Sequence, residues 1–169
     1  EDAVQWLKSR VRGQLRVDSR QIQPGDGFIA WPGAAHDGRQ FVKAALAKGA
    51  EACLVEHDGI EAFDLADPAV AEYQDLTVAT GPIAAGFYGQ PSRALQVVAV
   101  TGTNGKTTSV FLAEAMFAEA GLAPALSSTV VVRYPGFENA SGMTTPDAVR
   151  LWEWITRARG AGARSLAVE

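Results

Sequence analysis

Apolar and polar positions alternate along the first half of the chain in blocks that predict strands and helices in turn. The short apolar runs 28–30 and 52–55 are typical of buried strands, and a strand is also expected to lead into 17–20. The patterns of 2–11 and 41–48 are typical of helices. Because strands and helices alternate, this half is predicted to be a small α/β unit.

The second half repeats the alternation, after a turn-rich stretch at 87–92 that we interpret as a boundary near residue 90. The predicted domains are therefore 1–90 and 91–169. In chain order we expect a buried strand over 95–100, a helix from 106 closed by Gly121, a strand over 125–128, a loop over 134–142, a helix over 146–159 and a strand over 165–168.

The start of the last helix has its own sequence signature. Thr145 suits the position that caps a helix, Pro146 suits the first helical position, and Asp147 suits the first turn. A helix start capped in this way also leaves backbone N–H groups free to bind an anion beside Thr144.

A phosphate-binding loop is predicted between the strand 95–100 and the following helix. Gly102 and Gly105 allow backbone angles and close approach that a Cβ would block, so that amide groups can point at phosphate oxygens. Lys106 supplies a positive charge for the β and γ phosphates, and Thr107 supplies the hydroxyl that usually holds Mg²⁺. The loop is a short Gly-x-x-Gly-Lys-Thr variant, because Val100 stands where the longer pattern has glycine. The alternative is an ordinary glycine turn.

Glu169 follows the apolar strand 165–168, which is expected to lie beside the strand of the phosphate loop. Nucleotide-hydrolysing enzymes place a carboxylate that orients Mg²⁺ at this position. A doubly wound nucleotide domain normally has several further strands, so we expect the sequence to be truncated.

Composition narrows the function classes. With 47% apolar and 20% charged residues the chain is typical of a globular protein, and its net charge of -4 argues against nucleic acid as a partner. No apolar run is long enough for a membrane helix and the start lacks a signal peptide, so we expect a cytoplasmic protein without membrane insertion. The single cysteine, Cys53, is predicted to be a core residue rather than a nucleophile.

Four groups of residues together resemble the Mur ligases of peptidoglycan synthesis. The resemblance spans nearly the whole chain, but only the amino-terminal domain and the opening of the central domain of such an enzyme; the carboxy-terminal domain is absent. The groups are Asp18-Ser19-Arg20 with 24–26 and Phe28; Gly33 with Asp37-Gly38 and Phe41; Tyr88-Gly89 and Pro91-Ser92 before the phosphate loop 100–108; and 142–147.

The resemblance implies site residues, position by position. The uridine-nucleotide contacts would be Val17, Ser19, Ala34, Ala35 and His36, with Thr144 and Thr145 on the diphosphate side. ATP would be held by Gly102, Thr103, Asn104, Gly105, Lys106, Thr107 and Thr108. Lys106 and Glu169 would be catalytic, and Thr107 and Glu169 would bind Mg²⁺.

The resemblance also implies a reaction. The expected enzyme is an ATP-dependent, ADP-forming ligase that adds a diamino acid, either meso-diaminopimelate or L-lysine, to UDP-N-acetylmuramoyl-L-alanyl-D-glutamate through an acyl phosphate. The 169 residues alone are expected to be inactive and monomeric. Alternatives are the next ligase of the pathway, which adds D-Ala-D-Ala, a folylpolyglutamate synthetase, and a noncatalytic nucleotide-binding module. A module of the last kind would bind ATP without recognising a UDP-sugar.

Overall fold

The computed structural model describes residues 2–34, 36–141 and 146–169. The chain separates into two compact units, one ending at Gly89 and the other beginning at Gln90, except that Ala148–Arg150 group with the first. Each unit has its own sheet, and helices separate many of its strands along the chain. The predicted α/β fold class is confirmed.

The first unit is built on a parallel sheet with the strand order β1-β2-β3-β4. All residues of β2 and β3 are buried, as expected for central strands of a parallel sheet covered on both faces. Its elements are α1 (Ala3–Arg10), β1 (Leu15–Arg16), β2 (Gly27–Ala30), α2 (Val42–Ala47), β3 (Ala52–Glu56), β4 (Val70–Tyr73) and α3 (Leu76–Phe87), with short 3-10 turns at Ser19–Gln21, Gly38–Phe41 and Ile60–Ala62.

One face of this sheet forms a core cluster with α2. Phe28 and Ala30 of β2 pack there with Cys53 and Val55 of β3, because side chains two apart in a strand share a face. Cys53 has no exposed surface, and burial raises the pKa of its thiol to about 12. The prediction that Cys53 is a core residue is confirmed.

Two carboxylates begin helices of the first unit. Asp2 accepts a hydrogen bond from the Val4 amide at 3.0 Å and caps α1. At α3 the cap comes from another element, because Glu56 at the end of β3 accepts the Leu76 amide at 2.7 Å. The sequence pattern does not predict α3, whose Gly81, Pro82 and Gly86 all disfavour a helix. The Glu56 cap and the packing of α3 on α1 override that weak propensity.

The second unit is built on a mixed sheet with the strand order β5-β9-β6-β7-β8. The strands β5, β9 and β6 are parallel, and β7 and β8 form an antiparallel hairpin beside β6. Its elements are β5 (Gln96–Ala99), α4 (Lys106–Glu119), β6 (Pro124–Ser127), β7 (Val131–Tyr134), β8 (Phe137–Ala140), α5 (Ala148–Gly160) and β9 (Ser165–Val168), after a 3-10 turn at Pro91–Ala94.

Three expectations for this unit are corrected. The strand near 95–100 exists as β5 but is not buried, because it lies at the end of the strand order and Val97 and Val98 are 44% and 38% exposed. The predicted loop 134–142 contains the strand β8, since Pro135 and Gly136 form a tight hairpin turn with Gly136 at φ +79°. The last helix begins at Ala148, so Pro146 and Asp147 precede it.

Across the described ranges, none of the helices combines the length and the apolar character needed to cross a bilayer.

The glycine that ends α2 provides a stability test. Gly49 has φ +96°, and a Cβ there would meet the Pro24 backbone at 2.9 Å, whereas Gly89 has φ +74° with open space around it. We expect Gly89→Ala to cost about 1 kcal/mol of unfolding free energy through its backbone angle alone. Gly49→Ala should cost about 1–3 kcal/mol more, because the Pro24 backbone must also move.

Urea unfolding of both variants measures the difference. Equal losses for the two variants would show that contact with Pro24 does not constrain this turn.

Candidate nucleotide sites

The loop between β5 and α4 has the form of a phosphate-binding loop. Gly102 and Gly105 have φ values of +134° and +78°, and a Cβ on either would meet no atom within 4 Å, so the backbone borders open space. The helix α4 begins at Lys106, and its first turn presents unpaired amide groups to that space. The ammonium of Lys106 donates to the Gly102 carbonyl at 2.8 Å and so lies over the loop.

The carboxylate of Glu169 lies beside the first turn of α4. The Thr107 hydroxyl donates to it at 2.9 Å, and the Thr129 amide donates to its other oxygen. The Thr107 and Thr129 hydroxyls are 3.3 Å apart. These side chains meet because β5, β6 and β9 run parallel, which places the segments after each strand at one edge of the sheet.

Glu169 is held in its ionised form. Burial opposes ionisation, but hydrogen bonds from Thr129 and Thr107 and the positive charge of Lys106 outweigh it and lower the pKa of this carboxyl.

The donor set of this site fits Mg²⁺. In the described part of the chain no three His, Cys, Asp or Glu side chains cluster as a protein-only metal site would. Mg²⁺ does not require such a cluster, because it commonly takes one or two protein oxygens and completes its shell with water and phosphate. The Thr107 hydroxyl and the Glu169 carboxylate are two such oxygens.

A second site lies in the first unit, where the chain leaves β1 and β2. A cavity of about 580 Å³ opens there, a size typical of small-molecule sites, which span roughly 300–1,000 Å³. Its lining combines apolar and aromatic groups with a few polar ones. The lining residues are Val17, Asp18, Ser19, Arg20, Ile29, Ala30, Trp31, Gly33, His36, Gly38 and Phe41.

Hydrogen bonds order the segment after β1 that lines this cavity. Asp18 accepts from the Arg20 amide at 2.9 Å and from the Arg20 guanidinium at 2.9 and 2.8 Å. The Lys48 ammonium donates to the Ser19 carbonyl at 3.0 Å. The hydrogen bond from Arg20 lowers the pKa of Asp18 to about 2. Asp18 and Arg20 therefore border the cavity as an ion pair, in which the Arg20 side chain is largely exposed.

The structure brings together some of the sequence-predicted residues and not others. Val17, Ser19 and His36 line one cavity, whereas Ala34 is not among its lining residues. Lys106, Thr107 and Glu169 form one cluster, while Thr103, Asn104 and Thr108 are exposed in or beside the loop. Ala35, Thr144 and Thr145 lie outside the described residues.

Sequence reasoning did not assign Trp31, Phe41 or Thr129 to a site. Trp31 and Phe41 line the cavity. Phe41 stands in one of the motif groups of the family resemblance, and the available signal for Trp31 was its position directly after β2. Thr129 lies two residues after β6, and only the parallel pairing of β6 with β9 shows that it reaches Glu169.

Two family models match the chain, one on each unit. Residues 14–88 match the Mur ligase family catalytic domain, and residues 100–169 match the Mur ligase middle domain. The chain belongs to the Mur ligase family. The predicted resemblance is confirmed.

Two curated relatives carry the name UDP-N-acetylmuramoyl-L-alanyl-D-glutamate--2,6-diaminopimelate ligase. The protein from Acidovorax sp. (strain JS42) is 50% identical over 178 residues, which cover all of this chain and 35% of the relative. The protein from Trichormus variabilis is 41% identical over 91% of this chain and 31% of the relative. The chain thus spans about a third of the length of these relatives.

Solved structures give the same fold. A structure of a UDP-N-acetylmuramoyl-L-alanyl-D-glutamate--2,6-diaminopimelate ligase matches 92% of this chain with a TM-score of 0.72 at 26% identity, and 31% of that chain is covered. The MurF ligase from Thermotoga maritima, solved with ADP, matches all of this chain and 33% of its own with a TM-score of 0.63. At 21% identity, this second likeness shows the fold alone.

The Asp18 pair yields a prediction about acid stability. Because the pKa of Asp18 is lower in the folded chain than its ordinary value of 3.8, its ionised form stabilises the fold above that value. That contribution should disappear as the pH falls from about 4 to about 2.

Two measurements check this prediction. The carboxyl carbon of Asp18, followed by NMR, should titrate near pH 2, and Arg20→Gln should move the midpoint up toward 3.8. The stability advantage of the wild type over Asp18→Asn should shrink over the same pH range. A midpoint that stays in place in Arg20→Gln would contradict the assigned role of the guanidinium.

Proposed function

We propose that the chain is the amino-terminal part of an ATP-dependent ligase of peptidoglycan precursor synthesis. The reaction is the ADP-forming addition of a diamino acid to UDP-N-acetylmuramoyl-L-alanyl-D-glutamate. Support comes from the relatives in Acidovorax, Trichormus variabilis and Pseudomonas putida, which carry the name of the diaminopimelate ligase, so that meso-diaminopimelate is favoured over L-lysine. We propose that the complete enzyme acts in the cytoplasm.

The observation that carries this proposal is the cluster at the start of α4. A glycine loop, a lysine, a threonine hydroxyl and a carboxylate within 2.9 Å of that hydroxyl form a set that suits a nucleoside triphosphate with Mg²⁺. We assign ATP binding to the second unit and UDP-sugar binding to the cavity of the first. The proposed domains are 1–90 and 91–169.

Each residue of the cluster has a distinct proposed role. The amide groups of 102–108 bind and orient the phosphates. Lys106, now on the Gly102 carbonyl, supplies positive charge where negative charge builds on the β and γ phosphate oxygens. Thr107 and Glu169 would hold Mg²⁺, which when bound neutralises phosphate charge. Thr129 fixes the orientation of the Glu169 carboxylate through its amide.

In the first unit, the cavity would bind and orient the uridine nucleotide. Trp31 and Phe41 offer aromatic surface for a base, and Ser19 and His36 offer polar groups. Binding at this cavity would fix one end of the acceptor substrate, which leaves its terminal carboxylate to be presented elsewhere for phosphoryl transfer.

Loss of the lysine charge tests the second site. In the complete ligase, Lys106→Ala should reduce turnover by about a hundredfold or more, because one group that stabilises developing oxyanion charge is removed. Lys8→Ala, an exposed lysine of α1, is the matched control and should leave turnover unchanged. Near-normal ligation by Lys106→Ala would refute the role assigned to this residue.

Calorimetric titration of the chain tests the first site. We expect UDP-N-acetylmuramoyl-L-alanyl-D-glutamate to bind and UMP to compete, because both carry the uridine nucleotide. A folded chain that binds ATP but neither of these ligands would instead be a noncatalytic nucleotide-binding module.

A further inference from the structure

Arg39 is an almost fully buried cation that the proposed reaction does not use. It is 5% exposed, a degree of burial that arginine rarely reaches unless it is paired. Its guanidinium lies over the Phe63 ring, 4.7 Å from the centroid. Its hydrogen bonds connect Asp37 on one side to the turn after β3 on the other.

On one side, Arg39 binds Asp37 through two nitrogen atoms. Its Nε donates to Oδ1 at 3.0 Å and its terminal nitrogen donates to Oδ2 at 2.7 Å. Asp37 also accepts the Arg39 amide at 2.9 Å, which begins the turn Gly38–Phe41. Hydrogen bonding to Arg39 holds the pKa of the Asp37 carboxyl below its usual range, so the pair stays charged.

Asp37 in turn closes the loop that borders the cavity. It forms an antiparallel bridge with Pro32, and between them the Gly33 amide donates to the His36 carbonyl at 3.0 Å. The amide of Gly38, the residue after Asp37, donates to the Trp31 carbonyl at 3.0 Å. The residues that Asp37 fixes are therefore the cavity residues that follow β2.

On its other side, Arg39 binds the turn that follows β3. Its remaining terminal nitrogen donates to the carbonyls of Glu56 and Asp58 at 3.2 and 2.6 Å. The Glu56 carboxylate accepts the amides of His57 and Leu76, which ties this turn to the start of α3. Arg39 thus connects the segment beside the cavity to the turn after β3 and, through Glu56, to the start of α3.

Only arginine has the shape for this arrangement. Its planar fork can donate in parallel to a carboxylate and in another direction to two carbonyls, while a lysine ammonium is a single point with three donors. A lysine at position 39 would keep the charge but would lose the bidentate hydrogen bonding to the Asp37 carboxylate.

We infer that Arg39 is a positioning residue for the cavity, which holds Gly33, His36 and Gly38 in the places where they bind a uridine nucleotide. The inference rests on the proposed function of the cavity. Arg39 acts through Asp37 and is not among the residues that line the cavity. Its contribution is to keep Gly33, His36 and Gly38 in place before the ligand arrives, which reduces the ordering cost of binding.

The test compares Arg39→Lys and Asp37→Asn with Leu7→Ala, a change in the fully buried core of α1 that destabilises the same unit away from the cavity loop. Four quantities are measured on the whole chain: UMP affinity and ATP affinity by calorimetry, hydrogen exchange at the Gly33 and Gly38 amides by NMR without ligand, and the midpoint of urea unfolding.

We expect Arg39→Lys and Asp37→Asn each to weaken UMP binding about tenfold, the loss expected for one charge-assisted hydrogen bond. ATP affinity should not change, and exchange at Gly33 and Gly38 should become faster. The double variant should be little worse than either single one, because both break the same link. Leu7→Ala should lower the unfolding midpoint while UMP affinity is kept.

The contrary results are distinct. UMP affinity within twofold of the wild type in both variants, with unchanged exchange, would overturn the role of Arg39 and leave the cavity assignment standing. A loss of UMP affinity in Leu7→Ala as large as in Arg39→Lys would reduce Arg39 to a merely structural residue. A wild-type chain that binds no UMP would overturn the cavity assignment and this inference together.

Discussion

Parallel pairing of strands is the constraint on which both candidate sites depend. When neighbouring strands run in the same direction, the segments that leave their carboxyl ends gather at one edge of the sheet. In the first unit this brings the segments after β1 and β2 around one cavity. In the second it brings the loop after β5, Thr129 after β6 and Glu169 after β9 to one place. The chemistry is assembled by backbone direction, from residues far apart in the chain.

Buried charge then gives the connecting loops a fixed shape. Asp26, only 4% exposed, accepts hydrogen bonds from the amides of Gln14 and Gln23 and from the Arg16 side chain. Glu56 and Arg39 satisfy turn and helix-start groups in the same unit. A buried charge is costly unless it is fully hydrogen-bonded, so these residues tolerate few alternative loop conformations. In this unit, charges inside the protein order the surface around the cavity.

How far the sequence predicts this structure depends on how local each signal is. The phosphate loop can be predicted because glycine, lysine and threonine stand together within a few residues. The strand 165–168 can be predicted because a short apolar run follows the glycine turn at Gly160 and Gly162. The contact of Thr129 with Glu169 cannot be predicted from the sequence, because it forms only when β6 pairs with β9. The burial of β5 was misjudged because apolar sequence does not reveal whether a strand lies inside a sheet or at its end. Trp31 belongs to none of the sequence motifs, so only its place in the fold identifies it as a cavity residue.

The position of the single cysteine has a practical consequence. Cys53 lies in the middle of the first sheet, with its thiol inaccessible and its pKa near 12, so almost no thiolate exists at neutral pH while that sheet is intact. Thiol reagents attack the thiolate and need access to the sulfur. The rate of Cys53 alkylation at neutral pH therefore reports how often the first unit opens, and no label has to be introduced. The natural sequence thus carries its own reporter for the opening of one unit, separate from the other.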